Sequence, residues 1–451
     1  MKAICHITLY ALLPTLCFAQ APDTSWTKLY GGPGSDVAYA VQQTFDEGYI
    51  IAGSTESYGN GATDVWLLKT DDTGDTLWTK TYGGSGADVA HEVLQTSDSG
   101  YVLVGTTSSF SNGTQVYVIK TNGDGDSVWT KTYGEMYDDS GWSILQTSDM
   151  GYIICGQNSA QYYKYVYLIK TDENGEPVWF QTYGPIPESG GHSVREITGG
   201  GFIITGFVAD PCGDYYNIYL IQTGTNGDTM WTKEIGPETI DQKGFSVHQT
   251  SDRGFIITGY TETQSFANDV YIVRTNPVGD TIWTKTYGGS YDDEGYSIQS
   301  TPDSGYIIAG MTYISPPTAE DIYIFEIDDN GNIAWEKMYG GPADDRGYAV
   351  QCTQDGGFIV AGATASFGAG NSDVWLLKMQ YDVGSQENSI ETEVNCIFST
   401  TIYTSRIPLP PGNQHKIFDI TGRQIHTLNP EPGIYFVENR GKIVSKIIKV
   451  H

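Results

Sequence analysis

The sequence predicts an all-β fold: a seven-bladed β-propeller of four antiparallel strands per blade, followed by a small C-terminal β-sandwich. Three observations carry this. Tryptophans recur at Trp26, Trp78, Trp129, Trp179, Trp231, Trp283 and Trp335, at spacings of 52, 51, 50, 52, 52 and 52 residues, the period of a repeat architecture. Each period holds four short runs rich in Val, Ile, Tyr, Trp and Thr, separated by Gly and Asp turns, which is how strands and hairpins are written in sequence. The repeats also begin on a lone fourth-strand segment, Trp26–Tyr30, and stop after a third strand, Val374–Met379. The N-terminal strand therefore completes the seventh blade and closes the ring, which removes a free sheet edge. A solenoid would instead need polar caps at its ends.

The elements follow in order. Residues 1–19 read as a secretory signal: Lys2 is the only charge, apolar residues run from Ile4 to Phe18, and Cys17-Phe18-Ala19 offers a cleavage site before Gln20. The propeller occupies 20–381. In its first full unit the strands are Ala38–Thr44, Tyr49–Thr55, Val65–Thr70 and Thr76–Tyr82. The second and third are almost continuously apolar, as in sheets covered on both faces. A polar linker spans 382–394, and 395–451 form a separate module. That split shows in the charge, since residues 382–451 hold seven basic and seven acidic side chains while the whole chain carries 24 Lys+Arg against 54 Asp+Glu.

A net charge of −30 excludes nucleic acid as a partner, because phosphate contacts need clustered cations. It also argues against docking on an anionic bilayer, and no later segment is long and apolar enough for a transmembrane span. Topology then divides the surface. Loops joining strands one to two and three to four share one face and are tight Asp/Asn/Gly turns such as Ser97-Asp98-Ser99-Gly100. The opposite face carries the loops from strand two to three and from blade to blade. There the repeats diverge, as in Gln161–Tyr165, Asp210–Tyr216 and Tyr313–Pro317. Tyr162, Tyr163, Tyr165, Tyr215, Tyr216 and Tyr313 are the expected ligand-binding residues, because irregular aromatic loops on a rigid frame suit stacking on sugars or a protein interface.

Other residues are weighed against structural roles. Asp36, Asp88, Asp139, Asp293 and Asp345 open the inner strands, with Asp241 a looser match and Asp138, Asp292 and Asp344 doubling three of them. They are candidate metal ligands at a channel mouth, or acceptors that tie each blade-to-blade turn. The sequence requires no cofactor and leaves calcium open. His91 and His192 fill an aromatic slot held elsewhere by Tyr39, Trp142, Phe245, Tyr296 and Tyr348; with His248 in another slot they make a poor metal site. Glu92 stands where other blades have Ala or Ser, which makes it the one candidate catalytic acid. Cys155, Cys212, Cys352 and Cys396 read as free thiols.

Two resemblances add to this. The turns before the tryptophans, Asp72–Trp78, Asp172–Trp179 and Asp329–Trp335, resemble the tryptophan-docking motif of quinoprotein-type propellers, whose Asp-x-x-Gly turn precedes a docked indole. That supports the fold and carries no redox cofactor, since such enzymes typically have eight blades. The tail, with Asp419, Gly422 and Arg423, then Pro432, Gly433 and Tyr435, then Lys446–Val450, resembles the C-terminal sorting domain of type IX secretion cargo. Its usual Asn-Pro-Phe opening stands here as Asn395-Cys396-Ile397-Phe398. The resemblance implies type IX secretion machinery as a partner and export through the periplasm to the medium or cell surface. The expected function is a non-catalytic binding or adhesion module for a glycan or surface protein. The alternatives are a glycan-active hydrolase or lyase and a structural surface component.

Overall fold

The computed structural model describes residues 21–380, apart from 135–136, 186, 238, 264–266 and 315–318, together with the backbone of C-terminal strands within 400–449. The expected signal segment, the linker 382–394, Cys396 and the motif residues Gly422, Arg423 and Pro432 lie outside the described residues. The chain divides into two compact units, 1–382 and 383–451.

The first unit is the propeller. Blade 1 pairs Asp36–Gln43, Tyr49–Thr55, Asp64–Thr70 and Thr76–Tyr82 in that order, within two residues of the expected strands. Six more four-stranded sheets follow. In blade 7, Asp345–Cys352, Phe358–Thr364 and Asp373–Gln380 are joined by Asp23–Tyr30, with Tyr30 opposite Val374. The ring is therefore closed by its N-terminal strand, as the truncated repeats require. No helix among the described residues is long and apolar enough to cross a membrane.

Burial follows the strand order. Second and third strands such as Tyr49–Thr55 and Asp64–Thr70 are buried at every position. Their side chains form seven apolar clusters, each shared by two neighbouring blades; Ile50, Leu67, Leu103 and Ile119, for example, join blades 1 and 2. Outer strands alternate exposed and half-buried residues.

That alternation explains the Trp-Thr-Lys-Thr-Tyr signature, because Trp, Lys and Tyr share one face. All three meet the next blade's hairpin turn. A methyl carbon placed on Gly125 would lie 2.7 Å from the Trp78 ring, Lys80 pairs with Asp126 at 2.8 Å, and Tyr82 Oη donates to the Gly125 carbonyl at 2.5 Å. Gly125 has φ +77°, so glycine both fits the turn and admits the indole. The same triad closes the ring, with Trp26 on Gly74, Lys28 on Asp75 and Tyr30 on the Gly74 carbonyl. Blade 6 faces the start of the ring-closing strand instead of a hairpin. Its Lys337 reaches the Pro22 carbonyl, and Tyr339 bonds Thr24 at 2.8 Å.

In five blades the third strand carries one buried cation that meets the carboxylate of the tight turn between strands one and two: Lys69 with Asp46, Lys120 with Asp98, Lys170 with Asp149, Arg274 with Asp252, and Lys378 with Asp355. Blade 4, whose turn is Thr198-Gly199-Gly200-Gly201, places Gln222 there. Blade 6 keeps the turn acid, Asp303, but carries buried Glu326 on its third strand, and that carboxylate accepts from Trp335 Nε1.

In the second unit the described residues form one five-stranded sheet, ordered Thr400–Tyr403, Lys442–Lys449, Gly433–Asn439, His415–Asp419 and Gln424–Ile425, with the first pair parallel. Asp419 lies opposite Tyr435. The second layer of a sandwich is not among the described residues.

Candidate functional site

Each inner strand slips register at one residue. The bulged residues are Tyr39, His91, Trp142, His192, Phe245, Tyr296 and Tyr348. A bulge re-aims a side chain, and here it turns all seven rings to the propeller axis. Neighbouring centroids lie 5.5, 4.1, 5.5, 5.3, 5.6, 5.2 and 5.0 Å apart around a closed circle. A heptagon of such sides puts each ring about 6 Å from the axis, so the collar narrows the channel with mutually packed aromatics. His91 and His192 belong to it as ring members. Burial pushes both down to about 4, and His248 to about 3, so all three are neutral near pH 7. His192 Nδ1 lies 2.8 Å from the Gly244 carbonyl; it donates there, leaving Nε2 as an acceptor.

Beyond the collar, toward the tight-turn face, the channel widens into a cavity of about 520 Å³. Here the sevenfold pattern breaks. The slot after the collar is Ser in four blades and Ala in two, and Glu92 in blade 2. Ser143 Oγ accepts the Val194 N–H at 3.1 Å, and Glu92 does the same for Ile144 with Oε2 at 2.7 Å. Its Oε1 lies 3.1 Å from Arg195 of blade 4. The partner of Glu92 is thus a cation from a non-adjacent blade. Arg195, whose slot holds Gln42, Leu94, Leu145, His248, Gln299 and Gln351 elsewhere, was not singled out. Its signal was a charge among otherwise uncharged residues at one repeat position. No second carboxylate lines the cavity with Glu92 among the described residues.

On the loop face, the segment expected as an irregular loop at 161–165 is a two-residue hairpin. Tyr152–Ala160 and Tyr163–Thr171 pair to their ends, and only Gln161 (φ +58°) and Tyr162 turn. Lengthened strands carry Tyr162 outward, where it is 80% exposed. Tyr163 and Tyr165 flank Lys164 on the third strand. Lys164 pairs with Glu188 at 3.0 Å, and Tyr216 Oη donates to the other oxygen of Glu188 at 3.2 Å. Lys243 Nζ sits 4.2 Å from the Tyr216 ring centroid and 4.6 Å from Phe207. Burial pushes the Lys243 ammonium down, against the pull of Glu188, Asp241 and Glu294. Tyr215 ends a loop organised by Asp210, whose carboxylate accepts the Cys212, Asp214 and Tyr215 N–H groups. Tyr162, Tyr215 and Tyr216 thus belong to adjacent blades 3 and 4, whereas Tyr313 belongs to blade 6 and meets Tyr291 edge-on at 5.3 Å. Lys243 and Phe207 went unrecognised because each looks like an ordinary strand residue.

The acids opening the inner strands are buried, at most 1% exposed, and each serves its own turn. Asp36 accepts from Gly32 N–H at 2.8 Å, Ser57 at 2.6 Å and Thr55. Asp88 accepts from Gly84, Ser109 and Thr107, Asp139 from Asn158 and Ser159, Asp293 from Gly289, and Asp345 from Gly341 and Ser366. These bonds are those of the turn-tying alternative. Asp138, Asp241 and Asp292 accept N–H groups from the preceding blade's third strand or the turn before it. Among the described residues no three His, Cys, Asp or Glu side chains converge as metal ligands. Cys155, Cys212 and Cys352 are free.

No protein-family model and no curated protein matches the sequence. Among solved structures, similar chains include Sqt1 from Chaetomium thermophilum, 12% identical over 74% of this chain and 83% of that one, with a TM-score of 0.44. A copper-bound fungal alcohol oxidase of the AA5 family is 12% identical over 95% and 98%, at 0.48. The extracellular domain of a putative hybrid two-component system from B. thetaiotaomicron is 9% identical over 95% of this chain and 60% of that one, at 0.46.

Proposed function

We propose that the protein is an exported binding module that holds a glycan or a surface protein on its loop face, over blades 3 and 4. The observation that carries this is the cluster of Lys164, Glu188, Tyr216 and Lys243 on the strand that follows, and the blades beside, the hairpin turn of Tyr162. It joins an 80% exposed ring to charged and aromatic groups already held in place, on the face where the repeats diverge. Rigid aromatics with a few placed polar groups suit recognition at low entropic cost. Export rests on the signal-like residues 1–19 and the type IX-like tail, which direct the chain through the periplasm to the surface or medium.

A glycan array probed with the full-length secreted protein tests the first part. Saturable binding that falls at least tenfold in Tyr162→Ala and Tyr216→Ala supports a lectin-like module. A blank array moves the ligand to protein. Deleting 395–451 tests export: accumulation in the periplasm supports it, and undiminished secretion refutes it. A hydrolase reading would need a second carboxylate near Glu92, and among the described residues none lines the cavity with it.

A further inference from the structure

We propose that the axial cavity is a second binding site, separate from the loop face, for a small uncharged molecule with a flat ring and hydrogen-bond acceptors along one edge.

The argument begins with which polar atoms remain free. Gln42, Gln299 and Gln351 line the cavity in the consecutive blades 6, 7 and 1. The side-chain oxygen of each accepts a backbone N–H of the following blade: Gln95 at 2.5 Å, Cys352 at 3.0 Å and Gln43 at 2.5 Å. An N–H can be met only by the oxygen, so the amide orientation is fixed. The three –NH2 groups are left without a partner among the described residues. Across the cavity both oxygens of Glu92 are bonded, to Arg195 and to the Ile144 N–H. The free polar edge is therefore rich in donors.

Charge gives the second constraint. Glu92 and Arg195 neutralise each other, and the histidines are uncharged. Among the described residues lining the cavity there is neither a free cation nor a free carboxylate to hold an ionic ligand, and the net charge of −30 repels anions from the whole molecule. Shape gives the third. The collar roofs the cavity with aromatic rings, Leu94 and Leu145 add apolar lining, and about 520 Å³ lies within the range of small-molecule pockets. A ring with carbonyl or ring-nitrogen acceptors on one edge satisfies all three constraints.

Riboflavin is the test probe, because it is neutral and flat, carries ring carbonyls, and loses fluorescence when stacked on aromatics. Titrated with the full chain, it should show saturable quenching, reversed by excess thymidine. Gln299→Glu with Gln351→Glu keeps both structural oxygens but replaces the donors with acceptors, and should weaken binding at least tenfold with an unchanged melting temperature. Ser246→Leu, which fills the cavity, should do the same. Tyr162→Ala should leave riboflavin binding intact, so failure here and failure of the loop-face reading are distinguishable. No quenching by riboflavin together with no saturation-transfer signal from thymidine would show a water-filled channel and overturn the proposal. Quenching that survives both cavity changes would place the probe elsewhere and overturn it equally.

Discussion

The two halves of the ring use the same frame and differ at their blade junctions. From blade 5 round to blade 2, each junction sets two aspartates against one glycine: Asp269 with Asp293, Asp321 with Asp345, Asp373 with Asp36, and Asp64 with Asp88. A methyl carbon on Gly83 would lie 2.4 Å from an oxygen of each partner, so those oxygens are within 4.8 Å of one another. In the other half the equivalent pairs are Gln115 with Asp139, Tyr165 with Ser189, and Asn217 with Gln242. Glu92, Arg195, Lys243, the tight hairpin of Tyr162 and the cluster around Tyr216 all belong to this second half or its edges. Where the repeat is copied faithfully it serves closure and turn geometry and lines the axial cavity with Gln42, Gln299 and Gln351. Where it departs, the charged and aromatic side chains of the loop-face cluster collect.

The largest expected effect tests what both halves share. In every blade a second-strand glycine faces the bulged inner strand, and a methyl carbon at Gly206 or Gly310 would sit 1.9 or 1.8 Å from a backbone carbonyl. Backbone cannot yield as a flexible side chain does, so Gly206→Ala and Gly310→Ala should each cost more than about 4 kcal/mol. Denaturant unfolding checks this; a mild effect at Gly206 alone would show that the divergent half is looser.

Next is Asp98→Ala, which strips the carboxylate from Lys120, whose side chain is 7% exposed. The expected loss is about 2 kcal/mol, below that of a fully buried pair because Asp98 itself is largely exposed. The pH dependence follows from the same turns. Burial would raise Asp98 and Asp149, but their Thr, Lys and Gly N–H partners prevail and hold both at about 2; Asp252, bonded first by Thr250, is likewise near 2. Carboxyls lowered on folding stabilise above the unfolded value of about 3.9, and that stability is lost as pH falls toward 2. Acid titration should show Asp98→Ala and wild type converging over this window.

Glu92→Gln keeps the acceptor for Ile144 and weakens the bond to Arg195. With both side chains partly exposed, at 23% and 30%, it should cost about 1 kcal/mol and leave glycan binding unchanged. Loss of a detected hydrolytic activity on this change would revive the enzymatic reading.

The smallest effect has the opposite sign. Burial raises Asp269, and burial together with Asp269 and Asp292 raises Asp293, against bonds from Thr312 and Gly289. A carboxyl raised on folding favours the native state only below its unfolded value, and that contribution is lost as pH rises through the folded one. Asp269→Asn, which moves this junction toward the Asn217–Gln242 arrangement, should raise the melting temperature at pH 7 by about 1–2 °C. Calorimetry at pH 7 and pH 3 checks it, because the gain should vanish at the lower pH.

Seven blades, their four strands and ring closure by Trp26–Tyr30 were legible in the sequence, since local hydrogen bonding and alternation dictate them residue by residue. So was the structural role of the tryptophan turns. The hairpin at Gln161–Tyr162 was not, because strand length there is set by pairing with the partner strand and not by the tyrosines themselves. The partner of Glu92 was hidden for a stronger reason: Arg195 lies 103 positions away, and only curvature around a common axis brings blades 2 and 4 within 3.1 Å. Likewise the aromatic slot was visible as a column of similar residues, but its closure into a collar depends on seven bulges aiming at one axis. Sequence determined what each blade is; the meeting of blades decided which atoms are left free at the centre, because that follows from distances no single repeat contains.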